Sequence, residues 1–253
     1  MSRGNQPRRV PNMLIALWSA KGGAGTTVVA TSVALTLGQR QAGVVIADLA
    51  GDVPAVLGAP EPDSPGLAAW LHAGEAVPVL ERLEVRVARG LALLPRGTGP
   101  LAVQRSRELA AALQHCRRHV IADCGTLRAS ETDSATTAIA RAASHSWIVI
   151  RPDYLSLRHA TNAPAQPTGA VVVQQPGRAL GPGDIERVLN VPVLAQVDDD
   201  PAVARAVDAG LLSGRLPQTI KRGLRPTTDS VERHSPSPHV DAPTSDQPPE
   251  ASL

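Results

Sequence analysis

A chain of 253 residues, 43% hydrophobic and 19% charged with a net charge of +2, has the composition of a globular protein able to bury one sizeable core. It carries no overall excess of positive charge to hold nucleic acid, and no apolar run near the roughly 20 residues that cross a bilayer. The basic N-terminus leads into an apolar segment that stops at Trp18 and enters glycines rather than a cleavage site, so no signal peptide is expected. Cys116 and Cys124 lack C-x-x-C spacing and read as reduced thiols of a cytoplasmic protein.

Residues 1–12 are polar, with Pro7 and Pro11, and read as a flexible arm. Met13 to Ser19 is a continuous apolar run ended by glycines, as expected of a strand buried on both faces. Val28 to Arg40, apolar all round, reads as a helix packed on a sheet, and Gly43 to Asp48 as a second strand closed by a carboxylate. Short helices are expected at 55–58 and 65–73, a third strand at 90–95 and an amphipathic helix at 101–116. A fourth strand, 118–123, again ends in aspartate, and a helix at 132–143 leads to a fifth strand at 145–150. After a helix at 155–160 come a strand at 169–174, a helix at 182–189, a strand at 191–195 and a helix at 201–209 stopped by Gly210.

Strands alternating with helices at this spacing predict an α/β fold. Its sheet is mostly parallel, with about seven strands and helices on both faces. One domain is expected over residues 13–217. From residue 218 the chain turns rich in Pro, Ser, Thr and charge, so 218–253 reads as a disordered tail. Ligands of such sheets bind at the carboxyl ends of the strands, where Ser19, Asp48 and Asp123 fall.

The stretch Ala20-Lys21-Gly22-Gly23-Ala24-Gly25-Thr26-Thr27 lies between the first strand and the first helix. Strand, glycine turn and helix is the arrangement in which backbone N–H groups and a helix N-terminus cradle phosphates. The common phosphate-loop pattern is G-x-x-x-x-G-K-[ST]. Gly25 and Thr27 meet its end, Ala20 stands at its first glycine and Thr26 at its lysine. A lysine occurs instead at Lys21, and of 25 Lys+Arg residues only Lys21 and Lys221 are lysine. A compact ammonium suits a crowded phosphate site better than a planar guanidinium.

Lys21-Gly22-Gly23-x-Gly25-x-Thr27 resembles the deviant phosphate loop K-G-G-x-G-K-[ST] of the ParA/MinD family of dimerising ATPases, which have a SIMIBI-type P-loop NTPase fold. Three further segments are similar to that family in the right order: Val44 to Gly58, Val120 to Gly125, and Val188 to Gly210. The resemblance implies ATP and Mg²⁺ as cofactors and a homodimer around nucleotide. Lys21 would reach the partner's phosphates, while Gly22, Gly23, Ala24, Gly25, Thr26 and Thr27 would hold the chain's own. Thr27 and Asp123 would hold Mg²⁺, and Asp48 would position or polarise the attacking water. Either aspartate taken alone reads better as a strand-ending turn former, and only the loop beside it favours the functional role.

The same resemblance implies a switch that positions a chromosome or plasmid, a septum or a pilus in the bacterial cytoplasm, together with a regulatory or cargo protein. A small hydroxyl or alanine at the lysine position is associated with its pilus- and septum-positioning branch, which includes CpaE/TadZ-like and septum-site proteins. With Thr26 at that position, hydrolysis is expected to be slow and ATP binding weakened, because phosphoryl transfer relies on cationic clamps. Gln174-Gln175, at the strand end that often carries Asn, leaves base selectivity open.

Other features carry competing readings. Arg187, Arg205, Arg215, Lys221, Arg222 and Arg225 make the C-terminal part basic, fitting nonspecific DNA contact or a solvated face about equally. His115 and His119 have no third ligand nearby and read as solvated surface histidines rather than a metal pair. Cys124 reads as a buried, inert thiol. Two other functions stay open: a nucleotide-free pseudo-ATPase scaffold, and a metabolic ATP-dependent ligase or reductase of the same superfamily.

Overall fold

The computed structural model describes residues 12–40, 43–73 and 79–233. The expected arm, apart from Asn12, and residues 234–253 of the expected tail lie outside the described residues. The first half of the chain runs β1 (Leu14–Ser19), α1 (Thr26–Arg40), β2 (Val44–Asp48), α2 (Val53–Leu57), α3 (Gly66–His72), β3 (Val85–Ala88), β4 (Leu91–Leu94) and α4 (Ser106–Gln114). The second half runs β5 (His119–Thr126), α5 (Ala135–Ala142), β6 (His145–Ile150), α6 (Tyr154–Ala160), β7 (Gly169–Gln174), α7 (Pro182–Leu189), β8 (Val193–Asp198), α8 (Pro201–Asp208) and α9 (Gln218–Arg233).

The strands form one sheet in the order β3-β4-β2-β5-β1-β6-β7-β8, parallel except for the β3–β4 pair. The expected mostly parallel α/β sheet is thus present, with eight strands rather than about seven. The additional strand, β3, is four residues long and half-buried at the sheet edge, so it leaves little apolar signal in the sequence.

The central strand shows why the sheet needs helices on both faces. Every residue of Leu-Ile-Ala-Leu-Trp-Ser in β1 is buried. Successive side chains point to opposite faces, and Ile15 and Leu17 join one apolar core while Leu14, Ala16 and Trp18 join the other. The first core is closed by α1, α2, α8 and α9, the second by α3 to α7. Trp18 is fully buried and its indole N–H donates to the Ser146 hydroxyl at 2.9 Å, which satisfies its polar atom within the core.

The expected domain end at residue 217 is corrected. Residues 218–233 are helical, and Ile220, Leu224, Thr227, Thr228 and Val231 are buried at helical spacing. Proline and charge on the outer face hide this stripe from a compositional reading, and Pro226 lies inside the helix. Gly223 permits the docking: a Cβ there would stand 2.4 Å from the Gln196 carbonyl of β8, so only glycine lets the backbones approach this closely. The Thr227 hydroxyl then donates to the Leu194 carbonyl at 3.0 Å.

His119 also departs from expectation. It is buried at the start of β5, and its Nδ1 accepts the Met13 N–H at 3.3 Å. Burial holds its pKa below the usual histidine value. His115 is exposed and bonds locally to the Ala111 carbonyl.

Candidate functional site

The glycine loop leaves β1 at Ser19 and enters α1 at Thr26, at the carboxyl edge of the sheet. Gly23 and Gly25 have φ of 78° and 89°, the left-handed region that favours glycine. A Cβ at either would meet nothing within 4 Å, so both glycines border open space that a ligand can fill. The 15-residue helix α1 carries no acidic residue in its first turn, leaving the positive end of its dipole uncompensated by the helix itself.

Next to this loop opens a cavity of about 650 Å³, lined by the loop itself, the segments after β2 and β4, and the end of β5. Gly23, Ala24, Gly25, Thr26 and Thr27 all line it. Lys21, Gly22, Asp48 and Asp123 do not. A second, largely apolar cleft of about 280 Å³ also borders Gly25 and Val28, walled by Val173, Val197, Val203 and Val207 together with the charged Arg151, Asp198, Asp199, Asp200 and Asp208. The loop thus borders both a polar cavity and a largely apolar cleft.

Asp48 and Asp123 end up together because β2 and β5 are neighbours in register, with Asp48 opposite Asp123. Both are buried, Asp123 completely. Burial pushes Asp48 up to about 6, against the opposing pull of the Gly51 and Val53 N–H groups. Burial likewise pushes Asp123 up to about 7; the Thr27 hydroxyl and the Gly125 N–H draw it down, and the charge of Asp48 adds to the rise.

The two carboxyls differ in what they offer. Asp48 Oδ1 accepts from Gly51 N–H at 2.6 Å and Oδ2 from Val53 N–H at 3.1 Å, so both oxygens hold the loop after β2. It is Asp52, on that loop, that lines the cavity. In Asp123, Oδ1 accepts from Gly125 N–H at 3.1 Å, while Oδ2 is buried with no hydrogen-bond partner. An orphaned buried carboxylate oxygen is costly, and a cation or its bound water at Thr27 would satisfy it.

Among the described residues no group of three or more His, Cys, Asp or Glu is arranged to hold a metal. One hydroxyl and one carboxylate, with the rest supplied by phosphate and water, is the donor set that suits Mg²⁺ rather than a tight all-protein cage. The residues therefore fit a magnesium–phosphate ligand: Thr27 and Asp123 for the metal, the backbone of Gly22 to Thr27 for phosphate oxygens.

Lys21 stands apart, its Nζ 3.7 Å from Asp153 Oδ1 at the start of α6, with 41% of its side chain exposed. Thr26, at the lysine position of the loop, is buried and brings no charge. Sequence reasoning missed Arg96, Arg128, Asp52 and Glu131, which also line the cavity. The findable signal for Arg96 was its place directly after a buried strand, where α/β sheets bind ligands. Cys124 is 2% exposed, and burial pushes its thiol well above the usual range, as befits an inert core residue.

The sheet with its glycine loop before α1 has the fold of a SIMIBI-type P-loop NTPase. No protein-family model matches the sequence, and no curated protein matches it. Solved structures do match. The cell division ATPase MinD of Pyrococcus furiosus aligns with a TM-score of 0.72 at 20% identity, over 88% of this chain and 99% of that one. The septum site-determining protein MinD of Pyrococcus horikoshii, complexed with Mg-ADP, gives 0.71 at 17% identity, over 88% and 96%. A ParA family ATPase from Chlorobium tepidum gives 0.66 at 19% identity, over 88% and 98%. Likeness at this identity establishes a shared fold.

Proposed function

We propose that the protein is an ATP-binding switch of the ParA/MinD kind, which dimerises around Mg-ATP and hydrolyses it slowly. Gly22 to Thr27 bind the phosphates, with the base in the largely apolar cleft beside Gly25. Thr27 and Asp123 hold Mg²⁺, which neutralises phosphate charge when bound. Asp48 shapes the loop carrying Asp52, and Lys21 leaves Asp153 to reach a partner copy's phosphates. The ATP-bound homodimer then positions a chromosome or plasmid, a septum or a pilus in the bacterial cytoplasm through a regulatory or cargo protein. Its basic C-terminal residues make nonspecific DNA a further candidate partner.

The observation that carries this reading is the unpartnered, buried Asp123 Oδ2 beside Thr27, at the base of a loop with two left-handed glycines. The reductase alternative loses ground because Cys124 is buried and cannot project toward a partner's cysteine. No helix among the described residues is long and apolar enough to cross a membrane.

Titration calorimetry with Mg-ATP on the full chain tests the proposal. Saturable binding at one site per chain supports it. No heat at millimolar Mg-ATP leaves the pseudo-ATPase scaffold as the function.

A further inference from the structure

We propose that Arg96 supplies the bound phosphates with the positive charge that Thr26 does not, acting as the phosphate clamp of this site. The inference rests on the nucleotide-binding reading above. A phosphate site without a cation is poorly matched to its ligand, because attraction between opposite charges a few ångströms apart is strong wherever water is partly excluded. Thr26 offers a hydroxyl only, and Lys21 is held at Asp153, outside the cavity lining.

Among the described residues the cations that line the cavity are Arg96 and Arg128. Arg128 is already paired, its Nη1 3.2 Å from Glu131 Oε1, with 71% of its side chain exposed. Arg96 has no carboxylate partner within ion-pair distance among the described residues, so its charge remains available.

Arg96 is also positioned. It directly follows Pro95 at the carboxyl end of β4, whose Leu94 pairs in register with Ala47 of β2. Its backbone carbonyl accepts the Ala68 N–H at 2.8 Å. Its Nη1 donates to the Leu49 carbonyl, a neutral anchor that fixes the guanidinium without quenching its charge. Gly51 makes room for the side chain, since a Cβ there would stand 3.0 Å from Arg96 Cδ.

Arg96 lines the same cavity as Thr27, the hydroxyl that marks the metal end of the site. A guanidinium there is permanently charged and forks onto two phosphate oxygens at once. The contact falls on the terminal phosphate, because the metal-holding pair Thr27 and Asp123 marks that end.

The test is calorimetric affinity of the full-length protein for Mg-ATP and for Mg-ADP, in wild type, Arg96→Ala and the double variant Arg96→Ala/Thr26→Lys, with apo unfolding temperatures measured alongside. Arg96→Ala should weaken Mg-ATP by about tenfold or more, a loss of one hydrogen-bonded charge contact, and Mg-ADP distinctly less. Adding Thr26→Lys should recover most of the Mg-ATP affinity. Equal losses for the two nucleotides, or no recovery by the lysine, would assign Arg96 a loop-holding role and overturn the inference. Unchanged Mg-ATP affinity in Arg96→Ala overturns it while leaving nucleotide binding standing; a wild type that binds neither nucleotide removes both.

Discussion

Asp48 and Asp123 stand opposite each other at the carboxyl ends of neighbouring parallel strands, both buried and both with pKa values raised toward neutrality. Two carboxyls so placed oppose each other's ionisation, and each raises the proton affinity of the folded state. Their folded values of about 6 and about 7 lie above the ordinary 3.8. Their contribution to stability is therefore complete below about pH 4 and is lost as pH rises through 6 and 7. Each tenfold change in proton affinity is worth about 1.4 kcal/mol, so ionisation costs the ligand-free fold on the order of 3 kcal/mol at Asp48 and on the order of 4 kcal/mol at Asp123. Asp123→Asn should raise the apo unfolding temperature at pH 8, with a gain that shrinks toward pH 4. Parallel pH profiles for wild type and variant, followed by circular dichroism, would show that the pair is not coupled to folding.

Thr26→Lys should restore the charge that the loop lacks. A unit charge about 4 Å away is worth about 4 kcal/mol at an effective dielectric of 20, before desolvation. Even a third of that gain makes Mg-ATP bind about tenfold tighter, and phosphate release should accelerate. Steady-state phosphate assays and calorimetry read both. A flat turnover with improved binding would locate the remaining deficit beyond the loop.

Lys21→Ala separates fold from assembly. The Lys21–Asp153 pair is long at 3.7 Å, with the lysine side chain 41% exposed, the kind of contact worth at most about 1 kcal/mol. The variant should therefore melt within a few degrees of wild type while failing to dimerise with Mg-ATP in light scattering. A persisting ATP-dependent dimer would rule out Lys21 as the residue that crosses to the partner.

Gly25→Ala probes the cradle. At φ of 89° with open space around a new Cβ, the cost to the apo protein is backbone strain alone, about 1–2 kcal/mol. Mg-ATP binding should fall by more than this strain explains, because the methyl group enters the space a phosphate would take. A binding loss no larger than the stability loss would place the phosphates elsewhere.

Leu224→Ala examines the last helix. Leu224 is fully buried against the sheet, and removing such a side chain costs about 2–5 kcal/mol. A chain ending at residue 217 should melt lower still, since it uncovers the apolar face that α9 closes. Chemical denaturation measures both; an unaltered midpoint would return α9 to the expected tail.

Much of the fold was legible because parallel strands buried on both faces are written as unbroken apolar runs. β6, β7 and α7 appear at the boundaries the sequence indicates, and Asp48 closes β2 as expected, while β5 runs three residues past Asp123 to Thr126. Composition misled at α9, where five buried residues at helical spacing are diluted by Pro226 and surrounding charge. β3 escaped because a short edge strand buries too little to leave a pattern.

The sequence by itself determined the glycine loop, for left-handed glycines and the helix that follows them are local consequences of Gly23, Gly25 and the run from Thr26. Periodicity also determined the alternation of strands and helices and hence the class of fold. Only the tertiary structure decided the rest of the site. Asp48 and Asp123, 75 positions apart in the chain and neighbours in the sheet, became a coupled pair through strand order. Asp48 was tied to its own loop by two backbone bonds, and Arg96 was brought to the loop's cavity from a segment with no motif of its own. The physical reason is that charge and burial act through space. A side chain's pKa and partners depend on which strands lie beside it, and that order is set by the packing of the whole sheet.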